Sequence, residues 1–317
     1  MNYTKLFERY ASIPPVSKER YVHDRLLYSP RRYVMRRIYT QWTLPHYFRK
    51  HRELAEQTAE NTVVSLTSFP KRFSTLWLVI ESLKHQTIKP EKIVLYLSNQ
   101  EVKGREEIPS SLLEEEDDLF EIRFKDGKLR AHGKYHFAML DFPDKNIVTV
   151  DDDVVYAPTM LQALLEGHRI FPKEVITNCT YQIQLNTDGS VKTYNDWKTI
   201  AVTDYRTGYC TLDYLLPMGV GGVLYPPSVL YKDALDFELA KELSYLADDL
   251  WLYAQVVLAG RRVIKTSFDV AQNIPVYIKE NITLTKVNVV ENQNDVQMSQ
   301  LREYYLRTLD LDIVDFK

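Results

Sequence analysis

Three consecutive aspartates, Asp151, Asp152 and Asp153, follow the run Asn146-Ile147-Val148-Thr149-Val150. A β-branched run of that length reads as a buried strand, so the strand carries a dense negative charge to its own C-terminal end. In an open α/β sheet, ligands bind in the crevice outside the strand ends. Two carboxylates about 6 Å apart repel by roughly 3 kcal/mol at an effective dielectric near 20, so the cluster needs a cation to stay fully ionised. Hard oxygen ligands suit Mg²⁺ or Mn²⁺, which keep waters and bridge to substrate phosphates. The structural alternative is a cap for the helix starting near Pro158-Thr159-Met160-Leu161, but a cap uses one aspartate, not three.

A second acidic pair, Asp248-Asp249, lies within Ala247-Asp248-Asp249-Leu250-Trp251-Leu252-Tyr253. Two aspartates in a first helical turn suit the helix dipole; the chemical reading is a general base aimed at an acceptor hydroxyl. Between the two acidic features runs Gly219-Val220-Gly221-Gly222-Val223-Leu224-Tyr225. Its glycines would let a ligand approach the backbone closely, or would mark a strand bulge. Tyr225 and Trp251 have faces suited to a sugar, against the commoner fate of an aromatic in the core.

The elements that position these groups follow from periodicity. Residues 62–68 form a β-rich run stopped by Phe69-Pro70, and Leu76, Trp77, Val79, Ile80 and Leu83 recur at helical spacing. Strands are expected at 92–97 and 120–124, a helix at 135–140, and then the strand into the aspartates. This alternation predicts a mostly parallel, doubly wound α/β sheet. Further on, strands are expected at 175–184 and 191–194, with one helix over 239–258 ended by Gly260.

At 317 residues the chain can bury a large core, and its 45% apolar and 26% charged content is that of a globular protein. The net charge of −3 is uneven: residues 1–52 hold 12 Lys or Arg against 3 Asp or Glu. This stretch reads as basic and helical, with Arg31-Arg32 and Arg36-Arg37 about one turn apart among Tyr33, Tyr39, Trp42, Tyr47 and Phe48. It suits an anionic membrane surface or a helical cap on the main domain. The acidic body argues against nucleic acid. No apolar stretch spans a bilayer, the start lacks a signal-peptide core, and Cys179 and Cys210 are too few for a disulfide framework. A cytoplasmic setting is the expectation, with the basic arm able to hold the protein at the inner face of the membrane.

The first strand with its Thr67-Ser68-Phe69-Pro70-Lys71-Arg72 end, the Asp151–Asp153 motif, the glycine stretch and Ala247–Leu252 resemble, in that order, GT-A fold nucleotide-sugar glycosyltransferases. The likeness spans about residues 62–265 and is nearest to bacterial polysaccharide-assembly enzymes, such as those of capsule synthesis. With the basic helical extension over 1–60, it divides the chain into that extension, a GT-A-like catalytic domain over 61–275 and a C-terminal segment over 276–317 packing on it. It also implies a divalent metal, Mn²⁺ or Mg²⁺, held by Asp151 and Asp153 as a DxD motif on the donor diphosphate. Thr67, Ser68, Phe69, Arg72 and Asp152 would surround the nucleotide sugar, a UDP-sugar by the fold's habits. Lys134, with Lys128, Arg130 and His132 as alternatives, would meet the diphosphate. Asp249 would be the base and Asp248 its orienting neighbour, with Gly221, Gly222 and Trp251 lining the wall. The acceptor would be a glycan or a lipid-linked hydroxyl, and a base opposite the leaving group implies inversion. The resemblance departs in one respect: all seven histidines lie at or before His168, so the usual late histidine ligand is missing. Asn292, Asn294, Asp295 and Gln297 are then the C-terminal residues that could approach the diphosphate.

Other classes stay open. A nucleotidyltransferase would share the α/β plan, though Ser68-Phe69-Pro70-Lys71-Arg72 lacks the glycine-rich loop expected after its first strand. A retaining glycosyltransferase and a non-catalytic carbohydrate-binding protein are the remaining alternatives.

Overall fold

The computed structural model describes residues 3–13, 30–200, 208–277 and 292–314. Its centre is an eight-stranded sheet in the order β3-β2-β1-β4-β11-β6-β12-β9. These strands are β1 (Thr58–Thr67), β2 (Lys89–Ser98), β3 (Phe120–Lys125), β4 (Asn146–Thr149), β6 (Val175–Thr177), β9 (Tyr209–Cys210), β11 (Val223–Tyr225) and β12 (Val263–Thr266). All ladders are parallel except those flanking β11 and the one to β9, so the α/β, mostly parallel architecture is present.

Period-two alternation sorts the strand residues between two faces. Val64, Leu66, Ile93, Leu95 and Val148 point to one side, where helix α4 (Phe73–Lys84) packs Leu76, Val79, Ile80 and Leu83 on them. Val63, Val94, Tyr96 and Ile147 point to the other, under Ala138 and Phe137 of α5 (Gly133–Asp141). Helices on both faces make the sheet doubly wound. Register then sets the site: Ser65 lies opposite Thr149, and the N–H of Val150 donates to the Ser65 carbonyl at 3.1 Å. The ends of β1 and β4 therefore leave the sheet side by side.

Three expected elements differ. The strand expected over 175–184 is broken into β6 and β7 (Thr180–Gln182), because the Asn178 side chain turns the chain by bonding the carbonyls of Met160 and Gly221 at 3.1 Å each. β7 then joins a small antiparallel sheet with β8 (Lys198–Thr199) and β10 (Leu215–Pro217). The strand expected over 191–194 is absent: only a Leu185–Val191 bridge closes the turn at Asp188-Gly189, and a 3₁₀ turn, Tyr194–Asp196, follows. The helix expected over 239–258 is two, α7 (Phe237–Ser244) and α8 (Asp248–Leu258). The Ser244 hydroxyl caps the break by donating to the Ala247 carbonyl at 2.8 Å. That break puts Asp248 and Asp249 in a first turn rather than mid-helix.

At the N-terminus, α1 (Tyr3–Ala11), α2 (Pro30–Ile38), a π turn (Tyr39–Thr43) and α3 (Leu44–Lys50) are helical. Leu6, Phe7, Tyr10, Tyr39, Leu44 and Phe48 join the same core as α4 and β1. Tyr3 stacks on Tyr47 at 4.8 Å, and both rings meet His85.

Beneath this contact lies a buried ionic cluster. Lys84 Nζ reaches Asp117 at 2.8 Å and Glu115 at 3.5 Å, while His85 Nδ1 lies 3.2 Å from Glu81. Burial, and then a hydrogen bond to Glu81, push the Glu115 carboxyl from 4.5 up to about 7. The native state thus holds a proton that the unfolded chain releases above about 4.5, so stability falls as pH rises from about 4.5 to about 7. His85 is also raised: burial opposes this, but the hydrogen bond to Glu81 prevails. Its contribution is likewise lost as pH rises past its folded value. Glu115→Gln keeps the shape and abolishes the titration. It is expected to match the parent near pH 5 and to exceed it near pH 8 by about 1 kcal/mol, discounted for partial solvent contact. Melting midpoints at the two pH values read the difference; parallel pH dependences would refute the assignment.

Candidate active site

Asp151, Asp152 and Asp153 leave the end of β4 on a turn, so their side chains diverge. Asp152 points inward: it accepts from the Ser68 hydroxyl at 2.5 Å and forms an ion pair with Arg72. Arg72 also reaches Asp153 at 2.9 Å and lies over the Phe69 ring. Asp151 turns the other way, onto Lys134 Nζ at 2.8 Å. The same ammonium lies 3.1 Å from Asp248 Oδ2. Lys134, on the first turn of α5, thereby ties the strand-end aspartates to the α8 pair. Of the four basic residues in that loop, Lys128 instead pairs with Glu101 and Arg130 lies over Tyr245. His132 is buried between the Tyr135 hydroxyl and the Ser244 carbonyl, at 3.0 and 2.9 Å. Since a carbonyl only accepts, Nε2 carries the proton and Nδ1 accepts from Tyr135.

Gly219 lies between the two acidic features. Its N–H donates to Asp249 Oδ1 at 3.3 Å. Its carbonyl accepts from the Tyr156 hydroxyl at 3.4 Å, and that hydroxyl accepts the Asp151 N–H at 2.7 Å. A Cβ on Gly219 would sit 2.8 Å from Asp151 Oδ1 and 3.0 Å from Lys134 Nζ. A side chain here would push the ion pair apart.

Five carboxylates thus face two buried cations, leaving three negative charges uncompensated when all are ionised. Burial raises Asp151, and burial raises Asp152 to about 6, despite Lys134 and Arg72 respectively. Burial and then the neighbouring Asp248 push Asp249 well above the usual carboxylate range. Asp248 goes the other way: burial opposes ionisation, but Lys134 holds it low. The two carboxyls of one pair thus differ in proton affinity, Asp249 holding its proton the more tightly.

No three His, Cys, Asp or Glu among the described residues are gathered as a ready metal cage. The donor set still fits a hard divalent ion. Asp151 and Asp153 are half-buried carboxylates at one strand end, the local charge is in deficit of cations, and such ions take one or two carboxylates plus water and substrate phosphate.

Several candidates stand elsewhere than expected. Trp251 is fully buried, its indole N–H donating to the Ala234 carbonyl at 3.0 Å; it packs the second core and has no face for a sugar. Gly221 is needed for packing, since a Cβ would lie 2.6 Å from that of Cys179. Gly222 has φ +83°, and a Cβ would meet Met160 Sδ at 2.9 Å. Asp152 is consumed in anchoring Ser68 and Arg72. Thr67 is half-buried and donates to the Tyr96 carbonyl at 2.9 Å. On α9 (Gln293–Leu309), Asp295 accepts from the Tyr194 N–H at 2.7 Å and Gln297 from the Leu246 N–H at 2.8 Å, while Asn294 is buried. Asn292 precedes that helix in a left-handed conformation, φ 55°. Tyr156, which fixes Asp151 through its backbone, carried no sequence signal.

No family model and no curated protein sequence matches the chain. Among solved structures, a 4-diphosphocytidyl-2C-methyl-D-erythritol synthase from Anaerococcus prevotii aligns over 78% of this chain and 99% of its own. The identity is 12% and the TM-score 0.40. A mannosyltransferase from Pyrobaculum calidifontis, in complex with GDP-Man and Mn²⁺, aligns over 90% of this chain and 75% of its own, with 10% identity and a TM-score of 0.46. At these levels neither neighbour carries an argument about activity. No helix among the described residues is long and apolar enough to cross a membrane.

Proposed function

We propose that the chain is a metal-dependent glycosyltransferase that moves a sugar from a nucleotide-diphosphate donor to an acceptor hydroxyl with inversion, in cytoplasmic synthesis of a glycan or lipid-linked polysaccharide. The observation that carries this reading is the Lys134 bridge, 2.8 Å from Asp151 and 3.1 Å from Asp248, with the side-chain-free Gly219 beside it. It ties a strand end whose charge suits a metal-bound diphosphate to a pair of carboxyls suited to a hydroxyl.

In this reading Asp151 and Asp153 hold Mn²⁺ or Mg²⁺, which when bound neutralises charge on the leaving diphosphate. Lys134 and Arg72 add fixed positive charge on the same side, so little reorganisation accompanies departure of the nucleotide. Asp249 accepts the acceptor's proton as the oxygen attacks the anomeric carbon. Burial and Asp248 raise its affinity for that proton above an ordinary aspartate's, in the direction a general base needs. Ser68 and Asp152 fix the Arg72 guanidinium, and Phe69 lies beneath it.

A melting panel of UDP- and GDP-sugars, with and without Mn²⁺, tests the assignment. A true donor at 100 times its Kd stabilises by about 2.7 kcal/mol. Asp153→Asn should lose the Mn²⁺-dependent part of that gain while the unliganded midpoint holds. A chain stabilised by CTP alone would be a nucleotidyltransferase, and one that turned over no donor would be a binding protein. NMR of the product's anomeric centre separates inversion from retention.

A further inference from the structure

Residues 30–50 contain six Arg or Lys and no Asp or Glu, and they form one helical path. Tyr39 and Leu44 both face the core although five residues apart. In a regular α-helix that step places them roughly 140° apart. The π turn over Tyr39–Thr43, with the Leu44 N–H bonded to the Tyr39 carbonyl, absorbs the extra residue. The outer face consequently carries Val34, Ile38 and Trp42 in line, at 52%, 43% and 73% exposure. Arg31, Arg49 and Lys50 are exposed on that face, and no carboxylate among the described residues pairs with them.

This helix also touches the site's supporting strand. Arg36 and Arg37 lie 5.5 and 5.2 Å from the Tyr277 ring, and Tyr33 packs edge-on at 5.9 Å. Tyr277 follows Val276, whose N–H donates to the Asp153 carbonyl at 2.7 Å. Just before it, β13 (Ile274–Pro275) pairs with β5 (Val154–Val155).

We propose that this outer face docks on an anionic lipid bilayer, with Val34, Ile38 and Trp42 entering the headgroup boundary and Arg31, Arg49 and Lys50 meeting anionic headgroups. A narrow apolar line ending in a tryptophan, framed by cations that no carboxylate among the described residues opposes, matches that boundary in both polarity and charge. The contact through Tyr277 then holds the Asp153 end of the site beside the membrane. Docking stands independently of the reaction assigned above.

Co-sedimentation of the full chain with phosphatidylcholine vesicles, with and without phosphatidylglycerol, tests this. Partition is expected to be at least tenfold stronger on the anionic vesicles and to weaken with added salt. The combined change Arg31→Glu, Arg49→Glu and Lys50→Glu should lower it by about a hundredfold or more, at about 1 kcal/mol per cation. Trp42→Ser should lower it severalfold, with no change in melting midpoint. If the triple variant misfolds, the wild-type comparison of the two vesicles and Trp42→Ser still decide. Equal or absent partition on both vesicles overturns the proposal. So does self-association that Trp42→Ser abolishes in a chain that ignores lipid.

Discussion

Asp249→Asn is expected to reduce glycosyl transfer by about 10²–10⁴-fold, the range that a positioned general base supplies, while leaving donor stabilisation by nucleotide sugar intact. The amide keeps the size of the side chain and can still accept from the Gly219 N–H through its oxygen, so the local backbone has no reason to move. What it loses is the capacity to take a proton. Burial and Asp248 raise the Asp249 carboxyl well above the usual range, so the acid limb of the wild-type kcat/KM profile should lie above that of an ordinary aspartate. The variant's residual activity should lose that limb. Initial rates across pH, with donor affinity measured separately, decide the matter; near-normal transfer would remove Asp249 as the base.

Lys134→Met should have the largest effect on stability. Lys134 is buried among Asp151, Asp248 and Asp249, and they hold its pKa well above the ordinary value although burial opposes it. Removing one partner of a buried charge cluster leaves the others uncompensated, at a cost of about 3–5 kcal/mol. The sign with pH follows. Without the ammonium, Asp151 and Asp248 bind protons more tightly in the folded state than in the unfolded one. Stability of the variant therefore rises as pH falls through that range, and its deficit should narrow from about pH 8 to about pH 5. Melting midpoints of both proteins at each pH test this, and an unchanged midpoint near pH 8 would show that the three carboxylates do not depend on the lysine.

The first half of the sheet was readable because β1, β2 and β4 are buried on both faces and therefore appear as continuous apolar runs. The aspartates at the end of β4 were readable for the same reason, as charge placed where such a run stops. The partners of those aspartates were not. Arg72 meets Asp152 across 80 positions, and no local pattern encodes a contact that register alone creates. The break between α7 and α8 was hidden because Tyr245, Leu246 and Ala247 are acceptable helix residues, and the contacts that stop the helix there come from Ser244 itself and from the distant His132 and Gln297. Trp251 was misplaced because a sugar-binding aromatic and a core aromatic have the same composition signal. Its bond to the Ala234 carbonyl distinguishes them.

The short strand β11 has a consequence for how the molecule is made. It alone joins the β3-β2-β1-β4 half of the large sheet to the β6-β12-β9 half, through Val223 and Leu224, which ladder antiparallel to both sides. Gly219 and the break leading to Asp248 come to the aspartates only when that strand is in place. The loop closed between β4 and β11 exceeds 70 residues, and long closures are entropically costly and form slowly. Asp151 to Asp153 therefore meet Gly219 and the Asp248-Asp249 pair only through a closure of that length, so the site couples the two halves of the sheet.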